Sequence, residues 1–106
     1  MTETLAATLK ELRHRLVRLY NDRLANLMLY GSQARGEAAP GSDVDVLVVL
    51  RGPVSPCEEI ERTLADVADL SLEHGVVIAC VFVSEEQFLW EQSPLLLNVR
   101  EQGIAV

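Results

Sequence analysis

Aromatic residues are scarce in this chain, at 5% of its 106 residues. A core with so few rings has to be filled by Leu, Val and Ala. Apolar residues, at 49%, suffice for one such core, so residues 1–106 read as a single domain. Cysteine is nearly missing. Cys57 and Cys80 fall in no metal-ligand spacing and read as free thiols of a reducing compartment. No apolar run approaches the ~20 residues that span a bilayer. The first twenty residues are polar and periodic rather than leader-like, so a soluble cytoplasmic protein without a membrane partner is expected. Positive charge is short as well: 9 Lys and Arg stand against 16 Asp and Glu, a net charge of -7. Phosphate contacts dominate nucleic-acid binding, so an acidic surface argues against a long RNA or DNA substrate and leaves room only for a small local site.

What is present is a strong alternation of helical and strand patterns. Leu5, Leu9, Leu12, Leu16 and Leu19 recur at spacings of four and three, which is one face of a helix ending near Asn21. Leu24 to Tyr30 reads as a short buried strand. "GSQARGE" turns the chain and opens a helical turn, and Ala38 to Ser42 is a loop by its Pro and Gly. Asp43 to Leu50 is a second strand, apolar on both faces after its first three residues. Ser55-Pro56 with Glu58 and Glu59 starts a helix whose buried face is expected at Ile60, Leu64, Val67 and Ala68, and Gly75 ends it. Val76 to Val83 is a third strand. Ser84 caps a further helix, and Pro94 opens another with a short extended tail. Helices interleaved with strands predict an α/β fold, a small mixed sheet covered by helices.

The chemistry gathers in "YGSQARGEAAPGSDVDV". Side chains alternate along a strand, so Asp43 and Asp45 project to the same side with Cα atoms about 6.8 Å apart. Two like charges at a sheet end are costly to desolvate unless something positive meets them. A divalent cation is the simplest such thing, and oxygen ligands suit Mg²⁺, which often takes substrate phosphates as its other ligands. Gly31 lets the backbone approach a ligand closely. Ser32 adds a hydroxyl at the start of a helical turn, where free amides face an anion. Arg35 adds a cationic fork for phosphate, and Gly36 keeps the next turn clear. Together these residues describe a pocket for a nucleoside triphosphate and its metal. Taken singly, each has an ordinary turn or surface explanation; the joint spacing carries the reading.

Gly31, Ser32, Asp43 and Asp45 resemble the Gly-Ser, Asp-x-Asp signature of the nucleotidyltransferase superfamily related to DNA polymerase β. Arg35, Gly36 and Ser42 match its fuller form in the minimal nucleotidyltransferases. The resemblance implies that fold. It implies nucleotide binding by Gly31, Ser32, Arg35 and Ser42, two Mg²⁺ ions on Asp43 and Asp45, and catalysis by Asp43, Asp45 and Arg35. It also implies an antitoxin, alone or in a larger oligomer with its toxin, that transfers AMP from ATP to a tyrosine of a HEPN-domain RNase. One departure is visible. The superfamily has a third carboxylate on the next strand, and "VVIACVFV" holds no acid, with Ala79 or Cys80 at that place. The alternative is therefore an antitoxin that neutralises its toxin by binding alone.

Outside this stretch, His74 reads as a helix-end residue, His14 as solvated, and Cys80 as an interior strand residue. Trp90, in the apolar run from Phe88 to Leu97, is a candidate partner contact.

Overall fold

The computed structural model describes residues 1–39 and 41–106; Pro40, in the loop expected from Ala38 to Ser42, lies outside the described residues. Helix α1 spans Glu3–Tyr20, and a single 3₁₀ turn, Asn21–Arg23, leads into strand β1, Leu24–Tyr30. The short helix α2 covers Gly31–Arg35 and strand β2 covers Val44–Leu50. Helix α3, Pro56–His74, precedes strand β3, Ile78–Ser84. Helices α4, Glu85–Trp90, and α5, Pro94–Gln102, and the two-residue strand β4, Ile104–Ala105, complete the order.

The sheet order is β3-β2-β1-β4. β1 runs antiparallel to β2 and β4, whereas β2 and β3 are parallel. That arrangement follows from the connections. A short turn with α2 reverses the chain between β1 and β2, and a whole helix, α3, is needed to bring β3 back parallel to β2.

β2 is central, which is why its last residues are apolar without alternation. Val44, Val46, Val48 and Leu50 face Leu9, Leu12 and Leu16 of α1 and Leu70 of α3 in one core. Leu47 and Val49 face the other way and pack with Leu96 and Val99 of α5 in a second core. The sheet thus carries α1 and α3 on one face and α4 and α5 on the other. The expected leucine stripe of α1 is buried except Leu19, which is half-buried. Thr2 caps α1 by accepting the Leu5 amide at 3.1 Å. Ser84 and Gln87 form a reciprocal capping box at the start of α4.

The face of α3 differs from its expected one except at Val67, which is half-buried and packs against the first core. Ile60 and Leu64 are 50% and 60% exposed and Ala68 is also exposed, whereas Glu59, Thr63 and Leu70 are buried. Polar contacts set this rotation. Tyr20 donates its hydroxyl to Glu59 Oε1 at 2.9 Å, and Arg62 and Arg23 stand 3.5 and 4.0 Å from the same carboxylate. A buried carboxylate with a hydroxyl donor and two cations is satisfied, so burying it is tolerable. On the same side Arg15 of α1 meets Asp69 at 2.7 Å and Asp66 at 3.2 Å. His74 also joins the helices, 3.1 Å from Glu11. It bridges α3 to α1 rather than only closing its own helix end, whose cap is Gly75 in the left-handed region at φ 64°.

Candidate active site

β1 delivers the chain to the site at Tyr30. Gly31 follows with φ +73°, a conformation that side chains resist, and it starts α2. Gly36 closes α2 in the left-handed region, and the Glu37 amide donates to the Ser32 carbonyl at 3.0 Å. Gln33 then reaches forward: its Nε2 donates to the Ser42 carbonyl at 3.3 Å. The helical turn therefore holds the far end of the loop, the residue immediately before Asp43.

Strand β2 begins at Val44, one residue later than expected, so Asp43 sits just outside it. Val44 is buried on the α1 side, and its amide donates to the Val77 carbonyl at 2.8 Å. Alternation then turns Asp43 and Asp45 to the opposite side, with Leu47 and Val49 further along. Asp43 is exposed and Asp45 half-buried. Burial first, and the charge of Asp43 second, hold the Asp45 carboxyl above the usual carboxylate range. Tyr30 pairs with Asp45 across the β1–β2 ladder. Its phenol is pushed upward by burial and then by the Asp45 charge.

Gly31 and Asp45 are packed against each other. A Cβ on Gly31 would stand 2.5 Å from Asp45 Oδ2, so the glycine is required there by space as well as by φ. The structure thus brings Gly31, Asp43, Asp45 and, through Gln33, Ser42 to one end of the sheet. Ser32 is half-buried in the first turn of α2. Arg35 is turned differently: its Nε lies 3.1 Å from Glu37 Oε2, an exposed pair two residues apart. Tyr30 and Gln33 are site residues that sequence spacing alone passed over. Tyr30 directly precedes Gly31-Ser32, but only the strand register places it opposite Asp45.

The strand beside the carboxylates offers no third one. In the parallel β2–β3 ladder Asp45 pairs with Ala79, and alternation sends Cys80 to the other face, where burial raises its thiol to about 12. Glu73 lies 4.0 Å from Arg15 on the α1 side of α3. Glu85 and Glu86 follow Ser84, which pairs with Leu50 at the opposite end of the strand.

The donor set fits a hard divalent cation. It is all oxygen, on one face, with the Asp45 carboxyl pushed toward protonation by burial and then by the charge of Asp43, a cost that a cation relieves. A second acidic group, Glu11, Glu73 and His74, lies between α1 and α3. It has its own counter-charge in Arg15, 3.7 Å from Glu11, and is separate from this site.

The sequence matches the nucleotidyltransferase domain over residues 9–101. The chain belongs to the nucleotidyltransferase domain family. Nucleotidyl transfer is accordingly its enzyme class. This nucleotidyltransferase is 35% identical over 80 residues to "Putative protein adenylyltransferase MJ0604" of Methanocaldococcus jannaschii, a match covering 76% of this chain and 74% of that relative. Its fold is similar to a toxin-antitoxin crystal structure containing AMP-PNP, with TM-score 0.60, 20% identity, and 88% of this chain and 68% of that one covered. A mutant of the toxin-antitoxin MntA-HpeT is similar at TM-score 0.58 and 17% identity, over 89% and 68% of the two chains. At those identities the likeness is one of fold. It agrees with the expected α/β architecture, a four-stranded mixed sheet between helices.

Proposed function

We propose that this nucleotidyltransferase is a cytoplasmic antitoxin that transfers AMP from ATP to a tyrosine of a HEPN-type RNase toxin. The single observation that carries the reading is the packing of Gly31 on Asp45, with Asp43 on the same face. Two like charges are kept together at a sheet end, and the backbone beside one of them is stripped of any side chain. A site without a cationic ligand has no physical use for that arrangement. The protein acceptor is supported by the relative named as an adenylyltransferase of protein, and the toxin by the toxin-antitoxin neighbours in fold.

In this reading Asp43 and Asp45 would hold Mg²⁺, with two ions expected, and the metal would offset charge on the triphosphate and on the leaving pyrophosphate. Gly31 and Ser32 receive the triphosphate at the start of α2, and Ser42 borders it from the loop that Gln33 holds. Arg35, once released from Glu37, adds positive charge. The tyrosine oxygen attacks the α-phosphorus, a new P–O bond forms, the α–β anhydride bond breaks, and pyrophosphate carries away its electron pair. In this reading the phenolic proton passes to solvent, because Ala79, the residue paired with Asp45, has no basic side chain. A missing general base costs on the order of 10²–10⁴ in rate. A single transfer to a partner held in place tolerates part of that loss.

Ala79 is also the observation that favours a second reading, an antitoxin acting by contact alone. Intact mass spectrometry of the co-purified partner, before and after ATP and Mg²⁺, separates the two. Whole AMP increments that vanish with Asp43→Asn and Asp45→Asn support transfer. A stable complex whose partner mass never changes leaves inhibition by binding.

A further inference from the structure

The two carboxylates of the site are held in unlike ways. Asp45 lies inside the sheet, paired with Tyr30 on one side and with Ala79 on the other. Two ladders fix its backbone. Asp43 precedes the strand, is exposed and belongs to neither ladder. The direction of its side chain is set by the two peptide planes that meet at its Cα, because each plane is rigid. The plane after it carries the Val44 amide, which donates to the Val77 carbonyl at 2.8 Å. The plane before it carries the Ser42 carbonyl, which accepts from Gln33 Nε2 at 3.3 Å. Among the described residues, this is the one side-chain hydrogen bond made to residues 38–43.

Gln33 belongs to α2, and α2 meets the other carboxylate as well. Gly31, its first residue, leaves only the space that Asp45 Oδ2 fills. Gln33, its third, holds the peptide that leads into Asp43. The turn between them is short and closed: the Gly36 amide donates to the Gln33 carbonyl at 3.4 Å and the Glu37 amide to the Ser32 carbonyl at 3.0 Å. One five-residue helix therefore touches both carboxylates and fixes how they stand relative to each other.

We propose that Gln33 is a positioning residue for the metal site: through the Ser42 carbonyl it aims Asp43, so that the Asp43 and Asp45 carboxylates converge on a divalent cation. This rests on the metal-binding reading of Asp43 and Asp45 given above, and adds the residue that sets their spacing. A carbonyl only accepts, so the amide NH₂ of Gln33 is the end that faces Ser42, and the tether depends on that donor. Without it the peptide before Asp43 is free to turn, and an exposed carboxylate has to be ordered at the moment the cation binds. Small hard cations demand near-ideal octahedral geometry, so a misdirected ligand is poorly tolerated. Outer partners that orient a metal ligand change affinity by about tenfold or more.

Mn²⁺ alone tests this, titrated into the metal-free full chain and followed by loss of its free-ion electron paramagnetic resonance signal. Gln33→Met keeps the length of the side chain and removes the donor. It should fold as the parent does, by circular dichroism, and bind Mn²⁺ about tenfold more weakly. Gln33→Ala should weaken binding to the same degree, since it loses the same donor. In the metal-free proteins the Asp43 amide resonance should shift with either substitution, and the Asp45 amide should not. Parent-like Mn²⁺ affinity in Gln33→Met overturns the proposal. So does a loss confined to Gln33→Ala, which would make Gln33 a packing residue alone. A parent that takes up no Mn²⁺, or whose uptake survives both Asp43→Asn and Asp45→Asn, overturns the metal-binding reading itself and this inference with it.

Discussion

Gly31 lies against the carboxylate of Asp45 so closely that a Cβ would come within 2.5 Å of Oδ2. The motif glycine and the motif aspartate are therefore one structural unit rather than two separate contributions to a pocket. Gly31→Ala must both adopt a left-handed φ and displace Asp45. The expected result is a loss of about 1–2 kcal/mol of stability from the backbone alone, together with a fall in AMP transfer at least as large as that expected for Asp45→Asn. Thermal unfolding and a transfer assay on the same preparation check it; full activity in Gly31→Ala would mean that the close approach has no role.

The raised Asp45 carboxyl has a consequence for pH. Its charged form is disfavoured in the folded state by burial and by Asp43. The folded pKa thus lies above the unfolded one, and metal-free stability declines as pH rises from the ordinary aspartate range through the raised value. Asp45→Asn should remove that decline. In EDTA the variant should melt above the parent at neutral pH, with the difference vanishing below the unfolded pKa. Added Mg²⁺ should raise the melting temperature of the parent and not of the variant.

Ala79 is the residue paired with Asp45 on β3. Ala79→Asp places a carboxylate at that position. With ATP, Mg²⁺ and the acceptor protein, transfer should quicken by about 10²-fold, the low end of general base catalysis. The metal-free protein should lose stability, since three acids then share one face. Unchanged transfer kinetics in a folded variant would show that proton removal does not limit the rate.

Tyr20 and Glu59 are both buried and joined at 2.9 Å. Tyr20→Phe leaves Glu59 with fewer partners inside the protein and should cost about 1–3 kcal/mol in urea unfolding. Burial and the charge of Glu59 hold the Tyr20 phenol well above its ordinary range, so it stays a donor at all neutral pH values. A cost near zero would indicate that Arg62 and Arg23 satisfy the carboxylate by themselves.

Some of this was legible in the residues alone. The bounds of β1, a helical turn opening at Gly31 and β2 to within one residue followed from Gly31, from the loop chemistry around Gly41 and from the unbroken apolar end of β2, because these are local preferences of backbone and burial. The shared face of Asp43 and Asp45 followed from alternation. The family followed from the spacing of Gly31-Ser32 and Asp43-x-Asp45, a match now extended over residues 9–101.

Other features needed the assembled chain. Apolar spacing predicted that Ile60 and Leu64 would be buried. In the structure a carboxylate, Glu59, lies inside instead, met by the hydroxyl of Tyr20 thirty-nine residues away. The place of the family's third carboxylate could be narrowed only to Ala79 or Cys80, and it took the parallel register to show that Ala79 is the one beside Asp45. Arg35 stood ready for phosphate by its type, yet its nearest carboxylate is Glu37. Local pattern determines which segments are helices and strands and which residues share a face of each, because those depend on backbone geometry within a few residues. How each face is turned, and what stands beside a given side chain, depends on hydrogen bonds and ion pairs between distant segments, and these exist only once the helices have settled on the sheet.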